Sequence, residues 1–195
     1  MNELALHILD IVQNSISAKA TLIEIKINED LKSDKFEIRI NDNGKGIAPE
    51  MLEKVTDAYV TSRTTRKVGL GLPLLKQNAE QTGGSLEIMS ELGKGTQIMA
   101  LFGYSHFDRP PLGDIAGTIC LLVSANPQIE FIYEHKTSEG EYTFDTRQIK
   151  QALDGVPISS PEVYKLLKEM IETNLNDIKE MPHPTSPKGG GEDKK

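Results

Sequence analysis

Tryptophan is absent from this chain, cysteine occurs once, and no apolar run approaches the ~20 residues needed to span a bilayer. A sole cysteine, Cys120, excludes an internal disulfide and, by itself, a structural zinc or iron–sulfur site. The N-terminus lacks a basic segment followed by an apolar core, so no signal peptide is read there and a cytoplasmic setting is expected. Positive charge is scarce as well. Lys and Arg number 22 against 29 Asp and Glu, a net charge of −7, which gives no electrostatic reason to expect nucleic acid or an anionic membrane as partner. No internal repeat is visible. What is present is ordinary for a globular protein: 37% hydrophobic and 26% charged residues over 195 positions, enough for one full domain and a smaller appendage.

Periodicity divides the chain into elements. Residues 3–18 are expected to be a helix, with Leu4, Ile8, Ile11, Val12 and Ile16 on one stripe and His7, Asp10, Asn14 and Ser17 on a second, polar one. Residues 21–28 alternate through Ile23, Ile25 and Ile27, and 36–40 through Phe36, Ile38 and Ile40, so both read as strands. A short helix is expected over 49–57, a polar loop over 61–72, a helix over 73–81, and two strands over 85–90 and 97–101. This order predicts a two-layer α/β sandwich of α+β class, helices on one face of a mixed sheet. Past a boundary near Asp108-Arg109-Pro110-Pro111, a helix over 112–125, a hairpin over 129–135 and 142–145, and helices over 146–153 and 162–179 suggest a small α/β module. The expected division is 1–105, 109–180 and a disordered tail at 181–195, rich in proline, glycine and charge.

Four short segments carry chemistry. Asp10 and Asn14 lie one helical turn apart, a carboxylate and an amide oxygen suited to orienting a nucleophile and to binding a hard cation. Alone, they are more simply the solvated face of an amphipathic helix. Asp42-Asn43-Gly44-Lys45-Gly46-Ile47 follows a strand. Its carboxylate can accept from an exocyclic amine, and its glycines let backbone approach a flat ring, although Asn-Gly is also a common simple turn. Val68-Gly69-Leu70-Gly71-Leu72-Pro73 leads into a helix, whose N-terminal amides favour an anion, with Arg63, Arg66 and Lys67 just before it. Gly93-Lys94-Gly95-Thr96, by itself, is only a hairpin turn.

In this order and spacing, the four resemble the N, G1, G2 and G3 boxes of the GHKL superfamily, which includes histidine kinases, MutL, gyrase B and Hsp90. The stretch from Asp10 to Thr21 looks like the MutL form of the N box, whereas Asp57 through Thr96 looks more like histidine kinases, with Ala58 or Tyr59 in the aromatic F-box region. The resemblance covers residues 1–102 and implies the Bergerat, histidine-kinase-like ATPase fold, with ATP and Mg2+ as cofactors. It implies Asn14 as the magnesium ligand, Asp42 as the acceptor of the adenine amine with Thr96 in support, and Gly44, Gly46 and Ile47 beside the base. Gly69, Leu70, Gly71 and Leu72 would lie under the phosphates, with Arg63, Arg66 and Lys67 compensating their charge. Lys45 has no role in the pattern and is expected to face solvent. Asp10 stands where hydrolysing members carry glutamate and many kinases asparagine; it is the expected catalytic residue.

The compact span between Gly46 and Gly69 is kinase-like. The N box begins at Asp10, so no phosphoacceptor hairpin is expected before it, and His7, His106, His135 and His183 sit in no acceptor pattern. The expected function is a stand-alone histidine-kinase-type catalytic domain acting in trans on an unidentified protein partner, itself the candidate phosphoacceptor. A serine kinase of the anti-sigma-factor kind and a nucleotide-gated adaptor with weak ATPase activity stand as alternatives. His7 is expected to support the site rather than accept phosphate. Residues 109–180 are expected to serve interaction or homodimerisation, with Cys120 in core packing.

Overall fold

A computed structural model of the chain describes residues 3–52, 55 and 71–179. The first helix, α1 (Leu4–Ser17), buries Leu4, Ile8, Ile11 and Val12, the stripe read from the sequence. Its first amides lack partners within the helix. Leu4 and Ala5 donate instead to the carbonyls of Pro111 and Leu112. A hairpin follows, β1 (Leu22–Asp30) and β2 (Lys35–Asp42), paired antiparallel with Ile25 opposite Ile40. Ile23, Ile25 and Ile27 point into the helical layer and are almost fully buried. Each such side chain contributes roughly 1.5–3 kcal/mol of transfer free energy. Lys26, on the opposite pleat face, meets Glu134 at 3.0 Å in a half-exposed ion pair.

A short helix, α2, is described over Pro49–Leu52; the rest of the expected 49–57 helix, apart from Val55, lies outside the described residues. The next helix, α3 (Gly71–Gln81), takes in Gly71 and Leu72, which the sequence reading had assigned to the preceding loop. Pro73 falls in its first turn, where a missing N–H costs no intrahelical bond. β3 (Ser85–Glu91) and β4 (Gly95–Gly103) make a second hairpin, and β4 pairs antiparallel with β2, placing Asp42 opposite Thr96.

Helix α4 (Ile115–Ala125) begins three residues later than its apolar spacing suggests, because the Asp114 carboxylate accepts the Gly117 amide and caps it there. β5 (Glu130–Lys136) and β6 (Glu141–Asp145) follow, then α5 (Thr146–Ala152) and α6 (Pro161–Asp177). β5 does not begin a sheet of its own. It pairs parallel with β1, Ile25 beside Tyr133, and one mixed six-stranded sheet runs in the order β3-β4-β2-β1-β5-β6. α1 packs between α3 and α4, and α4 against α6. The two parts expected from the sequence therefore share a single core, in which Ile23 and Ile38 join Phe131, Tyr133 and Leu122. Cys120 is buried in it, and burial pushes its thiol up to about 12, leaving it inert. Among the described residues no helix is long and apolar enough to cross a membrane.

Candidate functional site

The C-terminal end of α1 and the strand end at Asp42 meet at one edge of the helical layer. Ser15, on the buried side of α1, donates its hydroxyl to Asp42 Oδ2 at 2.6 Å, while the Gly44 amide donates to Oδ1 at 2.8 Å. Both carboxylate oxygens are thus held, and each keeps a lone pair for a further donor. Gly44 is packed tightly under this carboxylate: a Cβ there would stand 2.9 Å from Asp42 Oδ1 and 3.0 Å from the Ala18 carbonyl.

Two glycines let the β3–β4 hairpin close on the loop after β2. Gly46 has φ +70°, and a Cβ on it would come within 2.1 Å of the Glu91 carbonyl; Gly95 has φ +114°, and its Cβ would come within 1.9 Å of the Asp42 carbonyl. Neither the backbone angle nor the space admits a side chain. Ser90 ties the same three segments together. Its oxygen accepts from the Ile47 amide at 2.8 Å, and it lies 2.8 Å from the Gly95 carbonyl and 2.9 Å from Thr96 Oγ1. Asn43 anchors the loop from behind by accepting from the Thr21 and Leu22 amides.

The result is a cavity of about 540 Å³. Asn14, Asp42, Gly46, Ile47, Leu72 and Thr96, all singled out in the sequence, line it together. Its walls are otherwise mostly apolar, among them Ile11, Met51, Leu92 and Ile98. A few polar groups converging in an apolar cleft of this size suit a flat organic ring with one or two hydrogen-bonding edges. Lys45 is exposed, as expected, yet its side chain also borders the rim. Asn14 is exposed in the cavity, and its side-chain amide makes no hydrogen bond among the described residues. Among these residues no three His, Cys, Asp or Glu side chains cluster to hold a metal. A lone amide oxygen suits a magnesium ion held chiefly by a nucleotide's own phosphates.

Asp10 is not among these lining residues. It packs against Gly71 at the start of α3, where a Cβ would stand 2.9 Å from Asp10 Cβ and 3.0 Å from Oδ2. His7, fully buried one turn earlier, bonds to the same glycine. Its Nδ1–H donates to the Gly71 carbonyl at 3.3 Å, and Nε2 accepts from Asn78 Nδ2 at 3.1 Å, an arrangement that suits the neutral ring. Burial holds the imidazole below the usual histidine range, against a smaller opposing pull from the Gly71 carbonyl. Arg63, Arg66, Lys67, Gly69 and Leu70, the expected phosphate side of the site, lie outside the described residues, as do Ala58, Tyr59 and the expected tail.

The sequence reading missed Ser15, Asn43 and Ser90. Small hydroxyls and amides carry no signal of their own, because what they bond to is distant in the chain. Ser15 and Asp42 are 27 residues apart, and Ile47 and Ser90 are 43 apart.

Residues 2–105 match the family described as histidine kinase-, DNA gyrase B-, and HSP90-like ATPase. A putative NtrY-like sensor histidine kinase of Rickettsia conorii is 30% identical over 108 residues, which are 55% of this chain and 18% of that protein. The sensor protein SrrB of Staphylococcus aureus (strain NCTC 8325 / PS 47) is 44% identical over 81 residues, 39% of this chain and 14% of that one. The chain thus spans less than a fifth of the length of these relatives. Among solved structures, the N-terminal domain of a DNA repair protein superposes with a TM-score of 0.51 at 20% identity, covering 74% of this chain and 52% of that one, a likeness of fold.

Proposed function

The chain belongs to the histidine kinase-, DNA gyrase B- and HSP90-like ATPase family, and on that premise we propose that its cavity binds Mg-ATP and that the bound nucleotide serves phosphoryl transfer to a partner protein in the cytoplasm. The observation that carries the first half is the doubly held carboxylate of Asp42, facing an apolar cavity beside Thr96. With Ser15 and the Gly44 amide fixing its oxygens, Asp42 is oriented to accept the exocyclic amine of adenine. Ile47, Met51, Leu72, Leu92 and Ile98 supply the apolar faces for the ring.

Asn14 holds the metal through its amide oxygen. Magnesium, when bound, neutralises charge developing on the transferring phosphoryl group. The first turn of α3, at Gly71 and Leu72, is where backbone amides would meet the phosphates. Gly69, Leu70, Arg63, Arg66 and Lys67 complete the phosphate side, as the family resemblance implies. Asp10, one turn before Asn14, orients the attacking group. The kinase reading is supported by the two sensor-kinase relatives. One observation favours a second reading, a nucleotide-gated adaptor. Asp10 and His7 both contact Gly71, so a shift at the start of α3 would pass directly into α1.

The test is titration calorimetry with Mg-ATP on the full chain and on Asp42→Asn. The substitution keeps the shape but places an N–H donor where an acceptor is needed, and should weaken binding by at least about tenfold, ~1.4 kcal/mol. Thermal unfolding without nucleotide should change little. Equal affinity in both proteins refutes the adenine assignment.

A further inference from the structure

A second cavity, of about 630 Å³, opens at the opposite end of the helical layer. The nucleotide cavity is reached by Asp42 at the end of β2 and by Asn14 near the end of α1. The second is reached by Phe36 near the start of β2, and by Pro111 and Leu112, whose carbonyls receive the first amides of α1. Its apolar wall includes Phe36, Leu112, Ile115, Leu175 and Ile178.

Two opposite charges on this wall do not pair with one another. The Arg109 guanidinium lies 4.7 Å from the centre of the Phe36 ring and 5.1 Å from that of Tyr104, and its Nε donates to the Tyr104 carbonyl at 2.8 Å. The group is fixed in place, and it forms no ion pair among the described residues. On the strand paired with β2, opposite Phe36, Glu29 is fixed by a buried chain of hydrogen bonds. The Tyr133 hydroxyl donates to His135 Nδ1 at 2.7 Å, and His135 Nε2 donates to Glu29 Oε1 at 2.7 Å. Tyr133 and His135 are 0% and 4% exposed, so the carboxylate has little freedom to turn. Its Oε2 makes no hydrogen bond among the described residues. The other acids on the wall, Asp114 and Glu172, already meet Lys168 at 3.0 and 3.6 Å, and Lys179 is an exposed side chain at the edge.

A ligand carrying only an anion would satisfy Arg109 and leave it facing Glu29; one carrying only a cation would do the reverse. Either pairing leaves a like charge in a half-buried site, which is costly. We propose that this cavity is a second binding site for a small zwitterion with an apolar body, an apolar amino acid or short apolar peptide, whose carboxylate pairs with Arg109 and whose ammonium pairs with Glu29. The guanidinium presents its remaining N–H groups as a fork matching a carboxylate, and the volume lies within the range of small-molecule sites.

The full chain is titrated with L-leucine, L-phenylalanine and leucyl-leucine, each to about 10 mM, the weak end of specific binding. Single-charge controls are 4-methylpentanoate and 3-methylbutylamine. At least one zwitterion should bind, and both controls should bind at least about tenfold more weakly. Arg109→Gln and Glu29→Gln should each reduce zwitterion affinity by a similar factor, while thermal midpoints without ligand report that both variants are folded. Glu29→Gln keeps an acceptor for His135, so it tests the charge even if Arg109→Gln is destabilised. The proposal is overturned if no zwitterion binds, if a single-charge control binds as well, or if folded Glu29→Gln binds with unchanged affinity.

Discussion

Asp10 and His7 show how two side chains on one helical stripe acquire different tasks. Both meet Gly71, Asp10 through its carboxylate and His7 through its ring. Asp10→Asn preserves size and removes the charge that would orient or deprotonate an attacking water. It should lower steady-state phosphate release from Mg-ATP by about a hundredfold, the lower range for a general base, and leave ATP affinity nearly intact. Unchanged turnover in that assay would remove Asp10 from the chemistry. His7 makes a prediction about acid. Its folded pKa is lowered by burial, so its contribution is complete above the ordinary histidine value of about 6.5 and is lost as pH falls below it, where the unfolded chain takes up a proton that the folded one refuses. His7→Gln cannot take up that proton. In urea melts from about pH 7.5 to about pH 5, wild-type stability should therefore fall relative to the variant. Parallel curves would show that His7 is not held neutral.

Among the elements, α4 shows most clearly what apolar spacing misses. Leu112 fits the stripe, yet the helix waits for Asp114, whose carboxylate caps it through the Gly117 amide and reaches Lys168 on α6 at 3.0 Å. Asp114→Ala should cost about 1 kcal/mol, nearly all of it the cap, because the ion pair is largely exposed. A denaturant midpoint that fell only in Asp114→Ala and not in Lys168→Ala would be the expected pattern; equal losses would assign the effect to the pair. The strands were more legible. Alternation through Ile23, Ile25 and Ile27 specifies a buried face by period alone, and the structure extends β1 only two residues beyond the stretch expected at its C-terminal end, to Asp30.

At the scale of the whole molecule, β5 is decisive. It lies between β1 and β6 and completes the hydrogen bonding of β1 on its second edge. Residues 1–105 hold every nucleotide-site residue proposed here, yet without β5, α4 and α6 they would expose the edge of β1 and one flank of α1. A chain ending at residue 105 should lose its cooperative thermal transition, or melt well below the full chain, and bind ATP weakly as a consequence of unfolding. Circular dichroism melts of the two proteins check this. An identical midpoint would make the later residues an independent appendage.

The sequence by itself determined the family, the first helix and the four strands of the first hundred residues, and six residues that come to line one cavity. The segments are written locally, in a period of two or of 3.6; the family and the six residues are what the resemblance of four motifs, in order and spacing, implies. The tertiary structure decided that β5 joins the same sheet, that Ser15 and Ser90 hold the base-reading end of the site, that Asp10 packs on Gly71, and that Arg109 and Glu29 face one second cavity. Those facts depend on which distant segments become neighbours. Hydrogen bonds and charge pairs between residues far apart in the chain leave no periodic trace in it, so only the folded arrangement of the sheet reveals them.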